Sequence, residues 1–392
     1  MGIFTFHYYV SLFAVIVLVF IPLLGVTAGL QVIFGIIIPY VAVFIFFAGM
    51  VYRVIVWART PVPFRIPTTT GQQKSLPWIK RSLKDRLDNP FTTWEAVGRM
   101  ILEVLLFRSL FRNLRSSLIK EPEFPEGKRI IYWSSKWLWL GAIVFHYSFL
   151  IILIRHLWLF TEPVPSFVRL IEHIDSLFQL YVPAVYISGI ALLAALTYLL
   201  LRRMIDPKLR YISLFADYFP LFLLLGIGIS GVLMRYFFKV DMVAVKELTI
   251  GLASFHPTIP KEHIGLMFYV HLFLVSSFFA YFPFTKLAHM AGIFMSMTRN
   301  MANNNRAVRH INPWNYPVRV KTYMDQENDW RPHMAKFGLP LEISVEEAKE
   351  MGPEKLEEKA KEHEKFYANS GKRDSTVFPE TEFLRKQTEK EE

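Results

Sequence analysis

The chain has 392 residues, 53% of them hydrophobic and 16% aromatic, with a mean hydropathy of +0.30; this excludes an ordinary soluble globular domain and points to an integral membrane protein. The formal charge of +11 then reads as basic loops on one side of a bilayer, not as a nucleic-acid surface. The absence of cysteine excludes disulfides, thiol catalysis, covalent haem attachment and iron–sulfur ligation by this chain.

A bilayer core takes about 20 apolar residues per helix. Runs at residues 8–28, 31–56, 137–160, 182–201, 212–238 and 264–297 predict an all-α, six-span helical bundle. The first run lacks a basic stretch ahead of it and a second follows closely, so it reads as a retained span rather than a signal peptide. Phe6 stands where a myristoylation signal needs Ser or Thr. The expected organisation is two N-terminal spans (1–58), a basic loop (59–135), a four-span core (136–297) and a tail (298–392).

Loop charge sets the orientation. Residues 59–129 hold 14 Lys and Arg against 7 Asp and Glu, and residues 202–210 hold 4 against 1. The loop 161–181 has Arg169 against Glu162, Glu172 and Asp175, and 239–262 is balanced. Basic loops face the cytoplasm, which places both termini there and makes this a multi-pass protein of the cytoplasmic membrane. Within the first basic loop, residues 91–118 alternate Trp94, Val97, Ile101, Leu105 and Phe111 with Glu95, Arg99, Arg108, Arg112 and Arg115. That pattern fits a helix lying in the membrane interface against lipid, or a solvated linker helix.

The third and sixth spans carry the most informative residues. His146 and His156 are 10 residues apart on the third, and His271 and His289 are 18 apart on the sixth. Ionisable groups inside a membrane are costly and mark function by default, and imidazole is the common axial ligand of haem iron. The two spans run in opposite directions, so His146 and His289 share the cytoplasmic half and His156 and His271 the outer half. Each pair is expected to hold one non-covalent haem b. The separations correspond to about 15 Å and about 27 Å of straight helix. Pro283, between His271 and His289, predicts a kink that takes up part of this mismatch.

Weaker signals surround these. Gly141, Ser148, Gly265 and Ser276 can admit a flat macrocycle or simply let helices pack. Gly226, Gly228 and Gly231 read as tight helix packing. Arg155 can meet a haem propionate or snorkel to the interface. Glu172, His173 and Asp175 in the outer loop are candidates for taking up quinol protons or simply form a solvated loop, and His263, which opens the sixth span, can serve the same site.

Beyond the sixth span, residues 298–341 are rich in Asn, Pro, Arg and Trp, and their prolines argue against a long helix there. Trp314, Tyr316, Tyr323 and Trp330 lie among Arg306, Arg309, Arg319 and Arg331, a composition suited to a partner interface. The tail has little apolar content for a core of its own, so it is expected to be largely irregular, with a charged helical stretch at 344–366.

The histidine spacings on antiparallel spans, with Pro283, resemble the dihaem cytochrome b gamma subunit of respiratory nitrate reductase over roughly residues 94–299. The extra N-terminal spans and the tail resemble the DsrM family of the DsrMKJOP complexes, called Hme in some archaea. The shared stretches are 282–290, Thr298-Arg299-Asn300-Met301, Arg309-His310-Ile311-Asn312-Pro313-Trp314 and 318–324. This resemblance implies menaquinol oxidation and transfer of electrons to a cytoplasmic iron–sulfur, DsrK-like partner, within a complex of further membrane and extracytoplasmic subunits. The alternatives are a cytochrome b of a nitrate or heterodisulfide reductase, or a non-redox scaffold or transporter.

Overall fold

The computed structural model describes residues 3–60, 80–112, 115–120, 128–176, 184–262, 264–304 and 322–370. Among the described residues six helices are long and apolar enough to cross a membrane: Phe6–Thr27, Ile33–Arg59, Lys136–Phe160, Ile187–Ile205, Phe215–Tyr236 and Leu266–Phe284. Two contact units divide the chain, Met1–Pro313 and Trp314–Glu392.

In the first unit, α1 (Ile3–Thr27) turns through Gly29, whose φ of +86° suits a residue without Cβ. A π-helical turn at Ile33–Ile37 then feeds α2 (Ile38–Arg59). Short helices follow: α3 (Leu83–Asp88), α4 (Thr93–Leu106) and α5 (Arg108–Phe111). Ser82 with Asp85, and Thr92 with Glu95, form capping boxes that start α3 and α4. α4 ends at Phe107, which adopts the left-handed conformation at φ 48°. The expected interfacial helix is therefore shorter than 91–118. It is followed by an antiparallel pair, β1 (Arg115–Lys120) and β2 (Lys128–Trp133), that the all-α expectation did not contain. β-branched and aromatic residues of β2, Ile130, Ile131 and Tyr132, suit a strand.

The remaining spans are α6 (Lys136–Phe160), α8 (Ile187–Ile205), α10 (Phe215–Tyr236) and α12 (Leu266–Tyr281). Shorter helices join them: α7 (Ser166–Asp175), α9 (Pro207–Ile212) and α11 (Met242–Ala253). Two more, α13 (His289–Gly292) and α14 (Met297–Asn300), follow the last span. α1 packs on α10 and α12, and α2 on α12, so the N-terminal spans are built into the bundle. Val15, Leu196, Leu223, Leu224, Val270 and Leu274 form its centre. Outward faces carry large apolar side chains such as Phe13, Phe20, Phe44 and Phe47, as lipid contact requires.

α6 packs chiefly on α8, and α12 on α2, α10 and α1, while the backbones of α6 and α12 touch little. The histidine-bearing helices thus face one another with side chains, not backbone, between them.

The sixth span departs from a kinked helix. α12 ends at Tyr281, a 3₁₀ turn covers Phe282–Phe284, Thr285 is extended, and a second 3₁₀ turn covers Lys286–Ala288. Pro283 has no N–H to continue the ladder. Thr285 caps the restart through its hydroxyl, which accepts from Leu287 N at 3.2 Å, and Lys286 Nζ reaches Asp217 Oδ1 at 2.7 Å.

The described part of the second unit forms α15 (Tyr323–Lys336) and α16 (Val345–Ser370), the latter bent at Gly352 with φ 77°. α16 falls on the charged helical stretch expected at 344–366, while α15 corrects the expectation of irregular backbone over 298–341. Met324, Ile343, Ala348 and Ala360 make a small core. Glu327 and Arg331 are buried inside it as an ion pair at 3.3 Å. Glu327 accepts from the backbone N–H of Glu342, and Arg331 Nε donates to Ile343 O at 3.1 Å. A satisfied polar pair supplies what apolar content alone would not.

Candidate functional site

The four histidines meet in two pairs. The rings of His146 and His289 are 6.0 Å apart between centroids and nearly perpendicular at 84°; those of His156 and His271 are 6.4 Å apart and inclined by 13°. These are the combinations that antiparallel spans require. The break after Tyr281 interrupts the helix between His271 and His289, so the straight-helix separation of the two does not apply.

Hydrogen bonds fix the tautomers. His146 Nδ1 lies 2.7 Å from Ala142 O, His156 Nδ1 2.7 Å from Ile152 O, and His289 Nδ1 2.8 Å from Lys286 O. A carbonyl oxygen only accepts, so Nδ1 carries the proton in all three. His271 Nδ1 meets Ser230 Oγ at 2.9 Å, and that hydroxyl donates to Ile227 O at 2.9 Å, so it accepts from the ring. Every ring therefore presents an unprotonated Nε2. Such an outer hydrogen bond is the usual means of orienting a metal-bound imidazole.

The donor set fits a haem. Two metal–imidazole bonds of about 2 Å each, with about 1 Å from each nitrogen to its ring centre, span about 6 Å. Among the described residues no group of three or more His, Cys, Asp or Glu can hold a bare metal ion. Two imidazoles at this separation suit an iron whose other ligands come from a macrocycle. Phe107 and Phe145 border His146 at 4.9 and 4.8 Å, and a Cβ on Gly231 would lie 3.5 Å from His271 Cε1.

The other small residues mostly pack helices. A Cβ on Gly141 would come within 2.7 Å of Tyr198, one on Gly228 within 2.8 Å of Leu193, and one on Gly226 would rest 3.4 Å from Val15. Ser148 is buried, Ser276 donates to Leu272 O, and Gly265 precedes α12 with φ +97°.

Beside His156 lies a polar cluster. Arg155 Nη1 pairs with Asp175 Oδ2 at 2.5 Å and reaches Ser188 Oγ at 3.2 Å. Asp175 also accepts from Ser188 N at 2.7 Å. Arg155 Nη1 is therefore held by protein partners, Asp175 and Ser188. The Tyr186 ring lies between two guanidinium groups, Arg155 at 3.2 Å and Arg235 at 4.0 Å, and its hydroxyl donates to Glu172 Oε1 at 2.7 Å. Burial and the Glu172 carboxylate push this phenol above its ordinary pKa, only partly opposed by the two arginines. Glu172 thus joins the cluster, whereas His173, the next residue on α7, points outward and is exposed. His263 lies outside the described residues.

Residues 131–303 match the family model of the nitrate reductase gamma subunit. A protein of Archaeoglobus fulgidus named Hdr-like menaquinol oxidoreductase cytochrome b-like subunit is 45% identical over 338 residues, 83% of this chain and 99% of that protein. One of the same name from Archaeoglobus profundus is 40% identical over 324 residues, 79% of this chain and 94% of that protein. The chain belongs to this family of cytochrome b-like subunits. All four histidines of this cytochrome b-like chain fall within the region 131–303, while α1, α2 and the helices α3–α5 lie outside it. Alignments of 338 and 324 residues extend well beyond that region.

Sequence reasoning missed Ser230, Tyr186 and Arg235. Ser230 was readable in principle, as a small polar residue between Gly228 and Gly231 on a buried helix. Tyr186 and Arg235 stand at opposite ends of the stretch that holds α8 and α10, two spans apart along the chain, and no sequence pattern brings them together.

Proposed function

We propose that this cytochrome b-like subunit holds two b haems, on His146 with His289 and on His156 with His271, oxidises menaquinol near the outer pair and passes the electrons inward. The observation that carries this is the two facing histidine pairs, each near 6 Å, with every Nδ1 bonded away from its partner ring. A bis-histidine haem b supplies reversible one-electron transfer. The chain's own residues orient the imidazoles and, around Tyr186, offer Glu172 as a base for protons leaving on the outer side. Menaquinol as reductant is supported by the name shared by the two relatives.

Basic loops at 59–129 and 202–210 place the His146–His289 pair toward the cytoplasm, with both termini on that side of the cytoplasmic membrane. Electrons leaving there enter an iron–sulfur partner, since this chain has no cysteine to hold a cluster. The resemblance to DsrM supports a DsrK-like, heterodisulfide-reductase-type subunit as that partner, in a complex with further membrane and extracytoplasmic subunits and a role in sulfite or sulfur metabolism. Moving an electron inward against a negative interior costs about 2.3 kcal/mol per 100 mV, so outward proton release would store energy.

The test is haem stoichiometry by pyridine haemochrome, with single histidine variants. The purified chain should carry two haems that a menaquinol analogue reduces. His146→Ala and His289→Ala should each lose one and the same haem, and His156→Ala and His271→Ala the other. No haem in the intact chain would overturn the reading, and loss in crossed combinations would overturn the pairing.

A further inference from the structure

Two half-buried arginines on the basic-loop side hold donors that are closed to solvent and bond nothing. Arg99 on α4 has Nε and Nη1 closed to solvent without an acceptor, and Arg53 on α2 has Nε in the same condition. Arginine stays charged in proteins, and a buried cation with unused donors is costly unless an anion meets it. Burial pulls the Arg99 guanidinium below its ordinary pKa, with Glu103 opposing and Arg299 adding to the effect. Glu103 does not bond to Arg99. It accepts from Ser109 N at 3.0 Å and from the Ser109 hydroxyl, and lies 4.0 Å from Arg299 Nε.

Both arginines stand on helices whose neighbouring residues reach the His146–His289 pair. The C-terminal end of α4 is tied to α6 around His146: Trp139 Nε1 donates to Leu106 O at 2.7 Å, Tyr147 Oη to Leu105 O at 2.9 Å, and the Phe107 ring borders His146. On α2, Arg53 stacks 5.5 Å from the ring of Trp57, and a Cβ on Gly292 would lie 3.3 Å from Trp57. Gly292 belongs to α13, the four-residue helix that begins with His289.

The helical period says which way Arg99 points. Trp94, Val97, Ile101 and Leu105 form one exposed stripe of α4. At about 100° per residue, Arg99 falls on the opposite side with Ala96 and Glu103, both buried. Its donors therefore lie on the protein-packed side of α4, away from the exposed apolar stripe.

The geometry points to Arg99 and Arg53 as the anchors for the two propionate carboxylates of the haem held by His146 and His289. This rests on the two-haem reading above. Planar guanidinium groups suit carboxylates, forming two hydrogen bonds at once. A phospholipid phosphate offers the same chemistry, and the test separates the two sources.

Redox titration of both haems, followed by absorption, should be run on the intact chain, Arg99→Gln and Arg53→Gln, alongside native mass spectrometry for bound phospholipid. A cation beside the carboxylates favours the electron's arrival. Each variant should therefore shift the oxidised-to-reduced ratio of the inner haem about tenfold toward oxidised, equivalent to about 59 mV for one electron, with the outer haem unmoved. His289→Ala identifies which wave is the inner one. If Arg99→Gln does not insert, Arg99→Lys serves: it keeps the charge but loses the fork, and about a threefold shift the same way is expected. Two intact haems with unchanged potentials would overturn the inference, and loss of a bound phospholipid with unchanged potentials would assign the arginines to lipid instead. Absence of haem from the intact chain would instead be a failure of the two-haem reading.

Discussion

An imidazole becomes a metal ligand when one nitrogen is unprotonated and aimed, and three of the four rings reach that state by bonding their own helix or turn. His271 is different, since its Nδ1 depends on Ser230 from another span. That makes Ser230 the most informative single residue for testing the outer pair. Ser230→Ala removes the hydroxyl acceptor of this N–H, and loss of such a partner typically weakens metal affinity about 10–100-fold. Repeated detergent washing should strip one haem from Ser230→Ala while the inner haem stays, and Ser230→Thr should keep both. Equal retention of both haems in Ser230→Ala would show that the hydroxyl does not orient His271. The histidines themselves were legible because charge-capable residues inside apolar runs stand out. Ser230 was not, because its meaning depends on how α10 faces α12.

At the scale of elements, the break after α12 decides whether the inner pair exists. A straight helix would carry His289 about 27 Å beyond His271, while His146 and His156 differ by about 15 Å along α6. The sequence showed the mismatch and the proline, but not that two 3₁₀ turns and an extended residue would replace the helix. Those follow from tertiary supports: the Thr285 cap, the Lys286–Asp217 contact and the pressure of α2, where a Cβ on Gly49 would come within 2.7 Å of Pro283. Pro283→Ala restores a ladder donor and favours continued helix. It should lower inner haem occupancy to roughly half or less with the outer haem full, read as the loss of one spectral component. Full occupancy of both would mean that the supports hold the break without proline.

The α3–α5 block offers a pH test. Asp88 accepts from Arg112 at 2.6 Å through each carboxylate oxygen and also from Arg108. Burial pushes its carboxyl up, but Arg112 and Arg108 more than offset this and hold it below the usual range. A depressed folded pKa means that the stabilisation is present above the unfolded value, about 3.9, and is lost as pH falls through the folded one. Protection of residues 80–112 in hydrogen exchange, corrected for intrinsic rates, should be full near neutrality and fall below about pH 4. Asp88→Asn should show the reduced protection already at pH 7. This block was only partly legible: the amphipathic stripe of α4 was visible, whereas the strand pair after it competes with helix over residues that either could use.

At the scale of the whole molecule, the chain is a membrane unit and a separate small helical unit, and the second bears on partner choice. Trp314, Tyr316, Arg306, Arg309 and Arg319, expected to form a docking surface, lie outside the described residues. Arg331 is excluded from that role, because it is buried against Glu327. Trp330, Phe337 and Leu339 are instead exposed, at 57%, 75% and 52%. Aromatic side chains on a small folded unit favour protein contact more than solvent. The cut that tests this must spare the membrane unit. Asn303 is buried there, with its N–H 2.6 Å from Pro90 O and its amide on Asn89, so truncation at 300 would damage the α3–α4 region as well. Ending the chain after Pro313 avoids that fault. The expected product keeps two haems and is reduced by a menaquinol analogue, but no longer co-purifies with its iron–sulfur partner. Trp330→Ala and Phe337→Ala in the full chain should each weaken co-purification without altering either haem spectrum. Retention of the partner at full yield by the truncated chain would place the dock on the membrane unit, where the charged block of α3–α5 would be the next surface to vary.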